Sequence, residues 1–374
     1  MISPRRWAWA EIDLDALAHN VGVMRRTVAP AEVWAVVKAD AYGHGAVAVA
    51  RATLAAGAAG LAVALTDEGV ELREAGIDAP ILVLSEQPVD DAARLVAMRL
   101  TPTVATDAGI DALAAVGGDD VGVHVKIDPG MHRVGVEPGG AAELARRLAR
   151  HAPNLRLAGV CTHLAVADEP ADPFTAEQLR RFDEALAAMD DIPPVVHAAN
   201  SAGGLAHPAA RRSLVRAGIA LYGIEPGPAV AHLCRELRPV MSLKARVSAL
   251  RTVAAGERIS YGRRYRFDHD ATVATVPIGY HDGVRRSLWA GQEVLVAGRR
   301  RPITGVVTMD QLMVDVTGLD LVVGDEVVLL GRQGDQQIRA EEWAERLGTI
   351  GYEITCGISQ RIPRVLTGAA RRSP

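Results

Sequence analysis

The sequence predicts an α/β protein, an N-terminal (β/α)8 barrel of the TIM type followed by a mainly-β C-terminal domain. Three observations lead there. From about residue 30 to residue 223, short apolar runs alternate with helix-length segments, the pattern of parallel strands joined by helical crossovers. After Arg238-Pro239 the texture changes to β-branched segments of alternating polarity, separated by Gly-containing turns. A length of 374 residues suits two domains, or one large one with an extension.

The barrel strands are expected at residues 33–38, 60–65, 79–84, 101–105, 121–127, 155–163, 195–199 and 214–222. Between them lie Ala-, Leu- and Arg-rich stretches, such as 139–151 and 175–190, whose apolar residues recur at three and four as on an amphipathic helix. Eight strand–helix units in roughly 200 residues is the count for a closed barrel. In the second domain the β segments are expected at 241–253, 271–280, 293–297, 306–316 and 326–330, with one clear helix at 339–347. The expected division is an N-terminal segment, residues 1–10, associated with the β domain, a barrel over 11–237, and the β domain over 238–374. No Ser- or Gly-rich linker, low-complexity tract or repeat interrupts this plan, apart from the barrel's own period.

Composition excludes several function classes. With 41 Lys plus Arg against 45 Asp plus Glu, the net charge of −4 is wrong for a strongly basic nucleic-acid binder. The longest uncharged run, residues 192–210, contains Pro, Gly, Asn and His and does not read as a membrane span. The N-terminus turns acidic before any signal-like apolar stretch. Three cysteines, far apart and in no metal-ligand spacing, argue against a disulfide framework or a zinc site, so a cytoplasmic protein is expected. Only three of the basic residues are lysines: Lys38, Lys126 and Lys244. Such a bias towards arginine leads to the expectation that a surviving lysine sits where only an amine will serve.

Catalytic groups of such barrels sit at the C-terminal ends of the strands. The first strand runs out in AVVKADAYGHG, placing Lys38 at its mouth and Tyr42 four residues on. A cation is costly to bury, so a lysine there is expected to have a depressed pKa, and a neutral amine can form a Schiff base. Lys126 lies in the fifth strand with Arg133 in the following loop, the sixth strand ends at His163, Asn200 and Ser201 follow the seventh, and VRAGIALYG carries Arg216, Gly218 and Ile219 in the eighth. The last two loops of such barrels commonly bind phosphate. A lysine beside a phosphate site points to pyridoxal 5'-phosphate (PLP).

The chain resembles the alanine racemases over essentially its whole length. The resemblance rests on AVVKADAYGHG (35–45), VKIDPGMHRVG (125–135), THLAVAD (162–168), HAANSAG (197–203), VRAGIALYG (215–223), ISYG (259–262), GYHDG (279–283), TMDQ (308–311) and GYEITCGIS (351–359). It implies a PLP-dependent, two-base racemase of L- and D-alanine that supplies D-alanine for peptidoglycan. Lys38 would hold PLP and serve one face of the substrate Cα, with Tyr261 serving the other, since racemisation needs a proton removed on one face and donated on the opposite one. His163 and Arg216 match the network behind Tyr261, and Arg216 also matches the arginine that faces the pyridine nitrogen in the family. Tyr42, Asn200, Ser201, the N–H groups of Gly218 and Ile219, and Tyr352 match cofactor positions. Arg133 and the Met309 N–H match the substrate-carboxylate site, while Tyr280 and Asp310 match the substrate entryway. Lys126 aligns with a lysine that is often carbamylated and steadies the neighbouring arginine. The resemblance also implies a head-to-tail homodimer in which Tyr261, Tyr280, Met309 and Asp310 reach the cofactor of the opposite subunit.

The sequence departs from the family pattern at Pro129, His132, Ala217, His281 and Thr308, where Thr, Gly, Pro, Ala and Cys are more usual. None of these removes a group with a chemical role. A racemase of serine or of a wider range of amino acids is the nearest alternative, because a pocket difference of a methyl group is worth only about 1–3 kcal/mol. A fold-related PLP decarboxylase generally has an acidic partner at the ring nitrogen, which Arg216 contradicts. A non-catalytic PLP-binding barrel protein lacks a β domain, which residues 240–374 contradict.

Overall fold

A computed structural model describes residues 6–118 and 120–368, which form two compact units. One runs from Leu17 to Arg238, and the other joins the chain up to Ala16 to the chain from Pro239 onward. The first strand, β1 (Ala8–Asp13), belongs to the second of these. The boundary between the units, at Ala16, lies within the helix Leu14–Val28, three residues beyond the end of β1 at Asp13.

The first unit is the (β/α)8 barrel. Its strands are β2 (Glu32–Val36), β3 (Gly60–Val63), β4 (Ile81–Val83), β5 (Thr103–Val104), β6 (Val121–Lys126), β7 (Leu155–Cys161), β8 (Val195–His197) and β9 (Leu214–Ala217). All ladder pairings are parallel: β4-β3-β2-β9 forms one arc and β5-β6-β7-β8 the other. A bridge between Leu82 and Thr101 joins the arcs at one side. Bonds from Ser213 N to Val196 O (3.0 Å) and from Arg216 N to Ala199 O (3.1 Å) join them at the other, so the ring closes. Residues 61–63 and 81–83 are wholly buried, which is why these strands read as continuous apolar runs and not as alternating ones. The helices show the complementary pattern: in Ala141–Ala149, Leu144 and Leu148 are buried while Arg146 and Arg147 pair with surface carboxylates. Thr106 caps the helix Asp107–Val116 by accepting the Gly109 N–H at 3.1 Å.

Several strands are shorter than their apolar runs. The eighth barrel strand, expected over 214–222, ends at Ala217, and Ile219–Tyr222 forms a 3-10 turn. That turn is buried throughout, so hydrophobicity continues after the strand has ended.

The second unit is mainly β. Its further strands are β10 (Met241–Arg246), β11 (Ala249–Val253), β12 (Arg258–Ile259), β13 (Tyr265–Arg266), β14 (Ala271–Val276), β15 (Glu293–Val296), β16 (Arg299–Pro302), β17 (Leu312–Asp315), β18 (Glu326–Gln333), β19 (Gln336–Ile338) and β20 (Arg364–Thr367). The largest sheet has the order β16-β15-β18-β10-β1-β20, with β19 on β18. A three-stranded sheet, β11-β14-β17, and the pair β12-β13 complete it. The segment expected at 241–253 is thus two strands in two sheets, divided at Val247-Ser248, and the one expected at 306–316 is a strand only over Leu312–Asp315. Beside the expected helix, observed at Ala340–Leu347, a short second helix spans Gly351–Cys356, too brief to leave a periodic signal.

Lys244, for which the sequence offers no role, has a structural one. Its Nζ lies 3.0 Å from Glu11 and 3.4 Å from Glu326, tying β10 to β1 and β18. Burial pulls its pKa down, but the bonds to Glu11 and Glu326 outweigh that and raise it overall.

Candidate active site

Lys38 stands two residues beyond β2, where the backbone takes an unusual course. Ala39, Asp40, Ala41 and Tyr42 have φ of 54°, 52°, 53° and 54°, forming one left-handed turn made without glycine. Such a conformation costs L-residues roughly 1–2 kcal/mol each. The turn is held by Ala41 N to Val37 O (2.8 Å), Gly45 N to Asp40 O (2.9 Å) and Ala46 N to the Asp40 carboxylate (2.7 Å). His44, fully buried, places Nδ1 2.9 Å from Ala41 O and 3.0 Å from Tyr42 O, so that nitrogen carries the proton and donates. The Ala39 N–H donates to Glu68 at 2.6 Å.

The turn brings Tyr42 to the loops after β8 and β9. Its ring lies 4.9 Å from that of Tyr222, and a Cβ added to Gly218 would sit 2.5 Å from the Tyr42 hydroxyl. Only glycine allows that approach. Ser201 Oγ accepts the N–H groups of Gly218 (2.9 Å) and Ala220 (3.3 Å), and Asn200 caps the following turn through Gly203 N (2.9 Å). The expected phosphate residues of the barrel, Tyr42, Asn200, Ser201, Gly218 and Ile219, therefore converge. Tyr352 belongs to the second unit, on the helix Gly351–Cys356.

Arg216, on β9, is only 4% exposed. Its Nη1 donates to His197 Nδ1 (2.7 Å), and its Nη2 to Thr162 O (2.8 Å) and Ala198 O (2.9 Å), with His163 Nδ1 at 3.5 Å. These bonds leave Nε unused. Because guanidinium only donates, His197 must accept at Nδ1 and carry its proton on Nε2, which then donates to His124 Nδ1 at 2.9 Å. One arginine thus fixes the tautomers of two buried histidines. Burial, reinforced by the Arg216 charge, lowers His124 to about 4 and holds His163 and His197 well below the usual histidine value.

On β6, Lys126 donates to Leu84 O (3.0 Å) and lies 3.5 Å from Ser85 Oγ. Burial lowers its pKa; Arg216 and Arg133 push the same way, while Cys161 and Asp128 oppose. Arg133 occupies the next loop, which is organised by the buried carboxylate of Asp128. Asp128 accepts the N–H groups of Gly130, Met131, His132 and Arg133 at 2.7–3.0 Å. Burial would raise its pKa, but the four donors lower it overall. His132 holds a left-handed φ of 54° inside this loop, at a position where glycine is more usual.

The remaining expected residues lie on the second unit. Tyr261 opens a 3-10 turn after Ser260, whose Oγ donates to Val306 O at 2.7 Å. Tyr280 lies in another, beyond the end of β14. Tyr280 N and His281 N donate to Thr308 O (2.9 Å) and Met309 O (3.1 Å), so the loops of Tyr280 and of Met309 and Asp310 are joined. A Cβ on Gly279 would meet Thr308 O at 2.3 Å. Arg361 reaches both loops, contacting Asp310 at 2.8 Å and the buried Asp282, which also binds Arg6, at 3.6 Å. Tyr261, Met309 and Tyr280 are 70%, 51% and 38% exposed.

Sequence reasoning did not single out Glu68, Asp128, His124, His197 or Arg361. Asp128, His124 and His197 stand inside or beside quoted motifs, and that nearness was the available signal. The residues present fit PLP: a cradle that a Cβ at Gly218 would fill, a hydroxyl at Ser201, a buried cationic donor with its Nε available, and a lysine on a rigid turn. Among the described residues no group of His, Cys, Asp and Glu is arranged to hold a metal, and no helix is long and apolar enough to cross a membrane.

Fold and site together define the class, an amino-acid isomerase built from a barrel and a β domain. The description "Alanine racemase, N-terminal domain" matches residues 12–226, and "Alanine racemase, C-terminal domain" matches residues 240–366. The chain belongs to the alanine racemase family. It is 45% identical over 370 residues to the alanine racemase of Symbiobacterium thermophilum, covering 97% of this chain and 98% of that one. The crystal structure of the enzyme from E. faecalis superposes with a TM-score of 0.92 at 36% identity, covering 98% of this chain and all of the other. That from Bacillus anthracis, solved with bound L-Ala-P, gives 0.91 at 40% identity, covering 98% and 97%.

Proposed function

We propose that the chain interconverts L- and D-alanine with PLP carried by Lys38, and thereby supplies D-alanine for peptidoglycan in the cytoplasm. The observation that supports this best is the buried Arg216, hydrogen-bonded through both Nη atoms to neutral histidine and carbonyls. Bound at the barrel mouth, PLP supplies an electron-withdrawing ring that acidifies the Cα–H of an amino acid joined to it. Arg216 would donate a hydrogen bond to the ring nitrogen without giving up its proton, because a guanidinium, even one whose pKa burial lowers, is far more basic than a pyridine nitrogen. A donor of that kind would leave the ring a restrained electron sink, which would suit reprotonation at Cα over the side chemistry of aminotransferases.

Lys38 exchanges a proton at Cα on one face and Tyr261 on the other. Tyr42, Asn200, Ser201, Gly218, Ile219 and Tyr352 hold the phosphate end, Arg133 and the Met309 N–H hold the substrate carboxylate, and Tyr280 and Asp310 line the entry. A carbamate on Lys126 would form by addition of CO2 to the neutral amine with loss of a proton. The anion would pair with Arg133. The exposed Tyr261, Met309 and Tyr280 suit a head-to-tail homodimer in which they, with Asp310, serve the cofactor of the other subunit.

Borohydride reduction of the purified protein, followed by peptide mapping and assays on L-Ala, L-Ser and L-Lys, tests this reading. A reduced pyridoxyl group on Lys38 and racemisation of alanine are expected; a pyridoxyl group elsewhere removes the first step. Preference for L-Ser would move the reading to a serine racemase.

A further inference from the structure

The left-handed turn after Lys38 is a strained segment at a functional position, and such segments persist only where their surroundings over-determine them. Several of its bonds close the turn on itself. The bond at Ala39 is different: it goes to a carboxylate from the next strand–helix unit. Glu68 lies in the first turn of the helix Thr66–Glu74. Its Oε1 accepts the Ala39 N–H at 2.6 Å, while Oε2 accepts those of Ala64 (2.7 Å) and Leu65 (3.1 Å), which follow β3. One side chain therefore ties the mouth of β2 to the mouth of β3, and all three bonds are charge-assisted.

The geometry points to Glu68 as a positioning residue for Lys38. The Ala39 N–H belongs to the peptide plane whose other end is the Lys38 carbonyl. Fixing that plane fixes ψ of Lys38, and with it the direction in which the lysine side chain leaves the backbone. Capping the helix Thr66–Glu74 requires only the bonds near its own N-terminus; the bond to Ala39, from a different strand, does nothing for that helix. Glu68 thus spends one oxygen on its own helix start and the other on the lysine turn. This rests on the reading of Lys38 given above, and it extends the site to a residue whose carboxylate acts through backbone N–H groups.

Glu68→Ala and Glu68→Gln test it in the full chain. Glutamine has one acceptor oxygen in place of two and so cannot serve both strand mouths; it is also the variant to use if the alanine form does not fold. The first readout is hydrogen exchange in the PLP-free protein, where protection at the Ala39 amide is expected to fall while the barrel strands stay protected. The second is the Cα-deuterium isotope effect in the loaded enzyme. A misdirected Lys38 slows proton transfer on one face only, so the effect should grow for one enantiomer and not for the other, with kcat down about 10- to 100-fold. Unchanged exchange at Ala39, or isotope effects that rise equally from both enantiomers, would overturn the positioning role and leave Glu68 a helix cap. Failure of the Lys38 reading itself shows separately, as wild-type protein whose reduced pyridoxyl group is not on Lys38.

Discussion

At the scale of single residues, the site is organised by what each group is able to donate. Arg216 imposes its donor character on His197 and, through it, on His124, and all three are buried. The linkage has a sign. His124 has a folded pKa of about 4 against 6.5 for an unperturbed histidine, so between those values the unfolded chain binds the proton that the folded one refuses. Stability is unaffected above pH 6.5 and falls as pH drops from there to about 4, by about 3 kcal/mol at most for this residue. His163 and His197 act in the same direction. Denaturant titrations across that window should show a shallower pH slope in His124→Gln than in wild type; identical slopes would detach His124 from acid sensitivity. Arg216, one arginine among many, stood out only through the motif VRAGIALYG shared with the family, whereas Lys38, Lys126 and Ser201 were legible in the sequence because amines are scarce in it and the Ser-containing turn is distinctive. Glu68 and Asp128 were not, since 45 acidic residues look alike until the chain folds backbone N–H groups around particular ones.

At the scale of elements, strand pairing makes room for these side chains. The ladder between β6 and β7 shifts register between Val123 and His124, opposite Gly159. A Cβ on Gly159 would lie 2.6–2.8 Å from three atoms of the His124 ring, which is held by its bond to His197. Gly159→Ala should therefore destabilise the barrel by about 1–3 kcal/mol, as overpacking in a rigid core does, and thermal melts will measure it. An unshifted melting temperature would mean that the ring yields freely. The period of alternating strands and helices was readable because parallel strands are buried on both faces. The exact strand ends were not: the turn after β9 is as apolar and buried as the strand it follows, and the turn after β2, which carries Lys38 and Asp40, buries only Ala41, Tyr42 and Gly43.

At the scale of the whole molecule, the proposed composite sites make a quantitative prediction. If Lys38 and Tyr261 of opposite subunits share a site, Lys38→Ala and Tyr261→Phe variants should each be nearly inactive alone. Refolded together at equal amounts, half the dimers are mixed, and each of these contains one site with both groups intact and one with neither. About a quarter of wild-type activity should return. No recovery on mixing would place both groups within one subunit.

The position of β1 between β10 and β20 carries a consequence for synthesis. The strand leaves the ribosome before any strand of the barrel, yet both neighbours are encoded after the barrel, β10 at Met241–Arg246 and β20 at Arg364–Thr367. All the barrel's own strands are available before either partner of β1 exists. That strand must wait until residues 364–367 are made before its second edge is covered, so a chain truncated before β20 leaves that edge bare.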